Sequence, residues 1–368
     1  MKKFILNLSL IALLLSSCTS TGDKEGSKET TSSEEEASFA TSTEYSKEES
    51  SYYISTSSQE SYETSDDSVV SSEDSISASE ESHISYEDSV DNTPKQDLTE
   101  ITSQIASIKD NGFNTNISDS SGAEALSALE SYLKDSGYGF FYCDLEYNGY
   151  VSYGCGKDFK TASTSKLHYI KYLSVKADNG EIDLNETKLY EERHKESGSG
   201  VMKSMAAGSR FSIATLMDYV LRYSDNIAYS MLIERFGLED YLKAVASLGV
   251  DYYTYNGYTN CTASEMAALL YDVASYKGAG LALMKNAGCN ASYNYQIGAE
   301  LKEYEVLQKY GAIKPGNVAY HDIAVVYAPH PYILVIYTTI DYDSAGKNIP
   351  FRTIARLTND LNRALYGE

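Results

Sequence analysis

The stretch KTASTSKLHY, residues 160–169, places Ser163 three positions before Lys166. Apolar residues follow at helical spacing (Leu167, Ile170 and Leu173), so the pattern predicts a helix that begins near the serine. At a helix N-terminus, backbone N–H groups and the helix dipole favour developing negative charge. Lys166, one turn further on the same face, could accept the serine proton. The same residues also fit a serine that only caps the helix.

The spacing of this pair does not decide between the two interpretations. Ser131 and Lys134 have the same separation, but they lie within another predicted helix, 121–137. Two further strings follow the first in order: Ser-Asp-Asn at residues 224–226 and Lys-Tyr-Gly at residues 309–311. Alone, the former is typical of a helix cap, and the latter, on a predicted strand, has little specificity. The order of the three strings along the chain is more specific than any one of them alone.

The elements around these strings indicate an α+β domain. The helix 121–137 precedes two Tyr- and Phe-rich runs that flank Asn148-Gly149, a strong hairpin signal. A helix-rich middle, 164–285, follows. Three predicted strands come next, at residues 304–313, 321–328 and 332–340, and the chain finishes in an amphipathic helix at 351–367. We therefore expect an antiparallel sheet of about five strands, built from both chain ends and flanked by helices, with an all-helical second lobe.

In order and spacing, the three strings resemble the motif set S-x-x-K, S-D-N and K-T-G of the class A β-lactamase and penicillin-binding serine enzyme superfamily. The resemblance extends over about residues 119 to 366 and includes GSRFSIATLMDYVLRYSDN and HDIAVVY. It implies a β-lactamase/transpeptidase-like fold and a serine hydrolase or acyltransferase. The implied substrates are β-lactams or peptidoglycan-type amides.

The resemblance also implies a role for each matching residue. The catalytic set would be Ser163, Lys166, Ser224 and Lys309, and the substrate-binding set would be Asn226, Tyr310, Gly311 and Ala312. Ser163 would attack an acyl carbonyl, Lys166 would hold its proton, and Ser224 would pass a proton to the leaving nitrogen. Lys309 would add positive charge and contact Ser224. Backbone N–H groups of Ser163 and Ala312 would form the oxyanion hole, and Asp225 would anchor its turn.

Two departures from the family pattern matter for function. Tyr310 stands where the family has a small hydroxyl residue that binds a substrate carboxylate. Class A β-lactamases also activate the deacylating water with a Glu in an E-x-x-L-N string. The matching stretch, LGVDYYTYNGYTNCTASEMAALL (residues 248–270), has no acid between Asp251 and Glu265, and Glu265 is a first-turn helix residue. We therefore expect acylation and a long-lived adduct.

Other functions remain open alongside this one. A D-alanyl-D-alanine carboxypeptidase-type enzyme could work without that Glu, and a cell-wall binding domain could keep the fold without catalysis. The absence of G-x-S-x-G argues against an α/β-hydrolase. The absence of C-x-x-C and H-E-x-x-H leaves a metal site or cofactor without support. Among the histidines, His168 and His321 fall near predicted site elements, although each also fits a structural role.

The N-terminal part of the chain predicts a compartment. Two lysines and an apolar run lead to Leu-Ser-Ser-Cys at residues 15–18, which resembles a bacterial lipobox with lipidation at Cys18. Residues 19–97 are rich in Ser, Thr and acids, carry most of the net charge of −23, and read as a disordered tether. We expect a lipid-anchored, monomeric protein on the outer face of a Gram-positive membrane, with its folded domain at 98–368. This acidity argues against nucleic-acid binding.

Four cysteines remain after Cys18, an even number in an exported chain, which allows disulfides. In a hairpin turning at Asn148-Gly149, Cys143 and Cys155 fall at nearly matched positions. Cys261 and Cys289 flank a predicted pair of antiparallel helices. The sequence thus predicts two bridges, Cys143–Cys155 and Cys261–Cys289.

Overall fold

The structure, a computed structural model, describes residues 97–255, 258–313 and 318–368. The predicted signal segment, Cys18 and nearly all of the predicted tether lie outside the described residues. The helices are α1 Leu98–Ala106, α2 Ala123–Leu133, α3 Ser165–Asp178, α4 Ile213–Arg222, α5 Asn226–Phe236, α6 Glu239–Ser247, α7 Ala263–Ser275, α8 Gly280–Gly288, α9 Ile297–Glu300 and α10 Ile349–Leu365. None of these helices is both long and apolar enough to cross a membrane.

One antiparallel sheet forms the frame of the domain. Its strands are β1 Phe113–Thr115, β2 Gly139–Asp144, β3 Tyr150–Tyr153, β9 Glu305–Ile313, β10 Ala319–Tyr327 and β11 Tyr332–Thr338, in the spatial order β1-β3-β2-β11-β10-β9. The five predicted strands are all present, and they come from both chain ends as expected. The sixth, β1, is only three residues long, which is too short to show a period of two in the sequence.

The other strands of the described residues form two smaller sheets. The first consists of β4 Phe159–Lys160, β7 Tyr253–Tyr255 and β8 Tyr258–Cys261, and the second of β5 Thr187–Leu189 and β6 Arg210–Ser212. Strand β4 leads directly into the stretch that contains Ser163, so its pairing with β8 holds one side of that stretch.

Alternate side chains of the main sheet enter two hydrophobic cores. Along β2, Phe141 and Cys143 join the core that contains the helical lobe, whereas Phe140 and Tyr142 join the core beneath α2 and α10. Both faces are therefore covered, which explains why all six residues of β2 are buried. Burying each Phe side chain contributes roughly 1.5–3 kcal/mol. The result is the predicted α+β domain, an antiparallel sheet flanked by helices.

Helix α3 lies at the centre of the helical lobe. Leu167, Tyr169, Ile170 and Leu173 are fully buried on it, so the apolar spacing after Ser163 correctly predicted a core helix. The helix packs against α4, α7, α8 and strand β9. Because the helix is held by both lobe and sheet, the turn at its N-terminus has a rigid support.

The disulfide predictions are wrong, since all four described cysteines are free thiols. Cys143 pairs with Tyr150 in the β2–β3 register, but the Cys155 thiol lies beside the carbonyl of Phe140. That is about 10 Å along β2 from Cys143, beyond the reach of a disulfide. The hairpin signal was correct, but it did not fix the offset between the two cysteines.

Cys261 and Cys289 lie near different ends of strand β9. The Cys261 thiol contacts the Tyr337 hydroxyl, at the end of the sheet where β10 and β9 pair His321 with Gly311. Cys289 lies beside Val306, near the other end of β9. Five residues of strand correspond to about 17 Å. Helices α7 and α8 therefore do not bring these two thiols together.

Candidate active site

Ser163 lies in a single turn of 3-10 helix, Ala162–Thr164, that runs directly into α3. The cap positions of the two helical segments are occupied by Thr161 and Thr164, so the helix-cap interpretation of Ser163 is wrong. Thr164 Oγ1 donates to the carbonyl of Thr161 at 2.6 Å and contacts the Tyr337 hydroxyl at 2.9 Å. These bonds fix the turn from below and leave Ser163 half-buried beside the helix start.

Two non-glycine residues of the site have left-handed backbone conformations. Ala162, just before Ser163, has φ +48°, and Ser224 has φ +53°. Such a conformation costs about 1–2 kcal/mol for an L-residue. Strain of this kind concentrates at functional sites, where the surrounding structure holds it. Ser224 belongs to a motif that the sequence singled out, and Ala162 directly precedes another.

Lys166 joins the first motif to the second. Its Nζ is buried and donates to the carbonyl of Ser224 at 2.9 Å and to Asn226 Oδ1 at 2.7 Å. The ammonium also lies 5.3 Å from the ring centroid of Tyr229. These contacts hold the lysine amine one turn beyond Ser163, between the turn Ala162–Thr164 and α5.

The Ser-Asp-Asn turn is built around Asp225. Its Oδ1 accepts the N–H of Ala228 at 3.0 Å and caps α5, while Oδ2 accepts the N–H of Met202 at 2.8 Å. The residue is fully buried, so its role in anchoring the turn, predicted from the sequence, is confirmed. Gly200 makes this packing possible, because a Cβ at its position would lie 2.2 Å from Asp225 Oδ2.

Lys309 brings the third motif to the same place. Its Nζ donates to Ser224 Oγ at 2.8 Å and to the carbonyl of Tyr310 at 2.8 Å. The predicted contact with Ser224 is therefore confirmed. Burial lowers the pKa of Lys309 well below its ordinary value, and the charge of Lys166 lowers it further, against the opposite effect of Asp322.

Gly311 lets the edge strand β9 lie against the turn Ala162–Thr164. A Cβ at this position would lie 3.0 Å from the Ser163 nitrogen and 3.1 Å from the Thr161 carbonyl oxygen. The absence of a side chain therefore permits the close approach. Ser163 and Ala312, whose N–H groups are the predicted oxyanion donors, lie on these two facing segments. Their role as donors stays a prediction.

Comparison with known proteins decides the family. The sequence pattern of the "Beta-lactamase enzyme family" matches residues 123–365. The chain belongs to the β-lactamase enzyme family. No curated protein matches this chain.

Solved structures with the same fold include both penicillin-binding proteins and β-lactamases. A mutant of PBP-A, described as an acyl-enzyme complex with penicillin G, has 16% sequence identity and a TM-score of 0.58, covering 66% of this chain and 96% of that one. An ancestral class A β-lactamase has 20% identity and a TM-score of 0.57, covering 64% and 98%. A β-lactamase from Sphaerobacter thermophilus has 19% identity and a TM-score of 0.57, covering 67% and 98%. At these identities the likeness concerns the fold.

Tyr310 differs from the family pattern in the way it packs. Its ring lies 4.7 Å from that of Tyr293, centroid to centroid. Burial raises the pKa of this phenol, so it stays protonated, while the side chain of Ser199 acts in the opposite direction. The tyrosine thus lies beside the segments that contain Tyr293 and Ser199. A small hydroxyl in the same place would leave the space between them open.

The structure adds a carboxylate that sequence reasoning missed. Glu196 lies just before the Ser199–Gly200 segment, and its Oε2 accepts the hydroxyl of Ser230 at 2.9 Å. Its neighbour Ser197 accepts Asn226 Nδ2 at 3.1 Å through its carbonyl oxygen. Glu196 stands in the irregular string KESGSG, which shows no period, and only its Gly and Ser content hinted at a close-packed loop.

The other residues considered from the sequence have structural roles. Glu265 forms a capping box with Thr262 and an ion pair with Lys109 at 2.7 Å, as expected of a first-turn acid. His168 Nε2 lies 2.8 Å from Asp272 Oδ2 in the interior of the helical lobe. His321 Nε2 donates to the carbonyl of Lys160 at 2.8 Å, two residues before the turn Ala162–Thr164. Within the described ranges, no group of three or more His, Cys, Asp or Glu could hold a metal ion.

Proposed function

We propose that this protein is an extracytoplasmic serine hydrolase or acyltransferase that forms an acyl-enzyme on Ser163 with β-lactams or peptidoglycan-type amides. The observation that carries the proposal is the chain of contacts from Lys166 through Ser224 to Lys309 beside the Ser163 turn. Three short strings, far apart in sequence, converge on one place. A cap, a loop and a strand with unrelated roles would have no reason to meet.

The chemistry follows from this arrangement. Lys166 accepts the Ser163 proton as Oγ attacks the carbonyl carbon, and the N–H groups of Ser163 and Ala312 stabilise the oxyanion. The C–N bond then breaks, and Ser224 donates its proton to the leaving nitrogen. Ser224 regains a proton from the lysine network, in which Lys309 already donates to its hydroxyl. The acyl group is left on Ser163 as an ester.

Tyr310 bears on the substrate class. Because its phenol stands in the place of a small carboxylate-binding hydroxyl, substrates whose carboxylate depends on that hydroxyl are disfavoured. β-Lactams and D-alanyl-D-alanine peptides both carry such a carboxylate, so Tyr310 does not distinguish them and instead favours a domain that kept the fold without catalysis. A D-alanyl-D-alanine carboxypeptidase-type enzyme is one alternative, because it can work without the Glu of the E-x-x-L-N string. A non-catalytic wall-binding domain is the further alternative. We also include in the proposal a lipid anchor at Cys18.

Intact-mass spectrometry after addition of penicillin G, or of a depsipeptide thioester, tests the proposal. We expect an adduct on Ser163 that is absent in Ser163→Ala and retained in Ser131→Ala, the matched control with the same S-x-x-K spacing. Lys166→Ala should slow adduct formation by about 10²–10⁴-fold, the usual value of general-base assistance. No adduct with either donor in the folded protein would favour the wall-binding alternative.

A further inference from the structure

Glu196 lies over the face of α5 that takes part in the site. Ser230, which donates to its carboxylate at 2.9 Å, is one helical turn beyond Asn226 on the same face. Asn226 Oδ1 accepts a hydrogen bond from Lys166 Nζ, and Asn226 Nδ2 donates one to the carbonyl of Ser197, the residue after Glu196. The carboxylate and the Lys166 amine therefore approach the same helix face from two different segments.

The charged groups that face Glu196 are Lys166 from α3 and Asp225 from the start of α5. Glu196 is half-buried, and this burial raises its pKa above the ordinary value, with a smaller contribution from Asp225. Donation by Ser230 and the charge of Lys166 act in the opposite direction. A carboxyl group with a raised pKa is better matched to proton exchange near neutral pH than an exposed one.

The other carboxylates close to the described site are held by other contacts or are fully buried. Asp225 uses both oxygens to hold the N–H groups of Ala228 and Met202. Glu265 is held by its capping box and by Lys109. Asp322 accepts the N–H of Ile297 through Oδ2, at the start of α9, and its full burial raises its pKa to about 7 and keeps it from solvent. Glu196 is held by a hydroxyl group and belongs to a loop that contacts Asn226.

We propose that Glu196 is the base that activates water for hydrolysis of the Ser163 acyl-enzyme, in place of the acid that the family carries in its E-x-x-L-N string. The inference rests on the proposed function. Glu196 takes a proton from water, the water oxygen bonds to the acyl carbon, and the ester bond to Ser163 Oγ breaks. Lys166, which is neutral again once acylation is complete, takes this proton from Glu196 and passes it to Oγ. The products are a free carboxylic acid and the original enzyme.

The decisive variant is Glu196→Gln, which keeps the size of the side chain and removes the base. In the full-length protein, pulsed with penicillin G and followed by intact mass, the variant still forms the Ser163 adduct. Its adduct decays about 10²–10⁴-fold more slowly than the parent's, as expected for loss of a general base. In the parent, the rate of adduct decay falls as the pH is lowered, because Glu196 becomes protonated. This acid limb of the pH–rate profile is missing in the variant. The control is Glu192→Gln, which removes an exposed carboxylate of the same segment that pairs with Lys195.

Ser230→Ala provides a second test that leaves the carboxylate in place. Since the Ser230 hydrogen bond lowers the Glu196 pKa, its removal shifts the acid limb to higher pH. Equal adduct lifetimes in the parent and Glu196→Gln, or an unmoved limb in Ser230→Ala, would overturn the inference and leave Ser163 acylation standing. Absence of any adduct in the parent would overturn both.

Discussion

At the scale of single residues, Ser224 shows how one strained position serves two lysines. Its left-handed backbone turns the carbonyl toward Lys166, while the side-chain hydroxyl meets Lys309. The strain persists because Asp225 locks the following residues into α5. Gly200 allows that lock, since its φ of +126° and missing side chain leave room for the carboxylate of Asp225.

Gly200→Ala should therefore weaken both the fold and the site. The new Cβ would meet the Asp225 carboxylate, so we expect loss of the α5 cap, about 1 kcal/mol, in addition to about 1–2 kcal/mol of backbone strain. Gly208→Ala is the matched control, because Gly208 has φ +97° and nothing within 4 Å of its missing Cβ. Urea unfolding and the rate of Ser163 acylation measure the two effects. Equal losses of stability in both variants, with equal acylation rates, would contradict this role of Gly200.

At the scale of elements, the turn Ala162–Thr164 depends on four strands that do not themselves react. His321 on β10 donates to the carbonyl of Lys160 on β4 and accepts the N–H of Thr338 at the end of β11. Gly311 on β9 lets the turn approach the sheet edge. Full burial lowers the pKa of His321 to about 4, so the imidazole is neutral near pH 7 and can accept that N–H.

This histidine predicts a loss of stability in acid. Between pH 6.5 and about 4 the unfolded chain binds a proton at His321 and the folded chain does not, so the free energy of unfolding falls as the pH falls through this window. The shift corresponds to a loss on the order of 3 kcal/mol. In His321→Gln, urea unfolding measured at pH 7, 6, 5 and 4 should show a shallower decline. A decline as steep as the parent's would mean that other groups cause it.

At the scale of the whole molecule, the family match at 123–365 falls within the predicted domain, 98–368, and most of the net charge of −23 precedes it. The preceding segment, with its predicted lipobox, underlies our proposal that the domain is tethered to a membrane surface. Two acyl chains on one cysteine would bind a bilayer stably, whereas one chain binds only marginally.

Cys18→Ala should release the protein from the membrane fraction or leave it unprocessed. Membrane fractionation and the mass of the N-terminal peptide measure the two outcomes. Cys289→Ala is the control, because this cysteine is a free thiol within the folded domain. A Cys18→Ala protein that is as firmly bound and as correctly cleaved as the parent would show that lipidation does not anchor the chain.

Four features were predictable from the amino-acid sequence alone: the α+β class, the hairpin at Asn148-Gly149, the three later strands, and the motif set with Ser163, Lys166, Ser224 and Lys309. These features depend on short-range signals: a period of two or 3.6, a turn dipeptide, a spacing of three, and an order along the chain. Such signals lie within a few neighbouring residues, so they can be read without knowing how distant parts of the chain pack. The pattern also showed that Tyr310 departs from the family.

Which distant groups lie close together became clear from the folded chain. The Cys143–Cys155 and Cys261–Cys289 predictions failed because strand offset and helix packing, not sequence spacing, set the distance between thiols. The string that usually carries the deacylation acid has none, so the sequence predicted a long-lived adduct. The base that we propose, Glu196, comes from a different loop and contacts Ser230, a contact that depends on how that loop packs against α5. Packing of this kind leaves no periodic trace in the sequence, so only the folded chain reveals it.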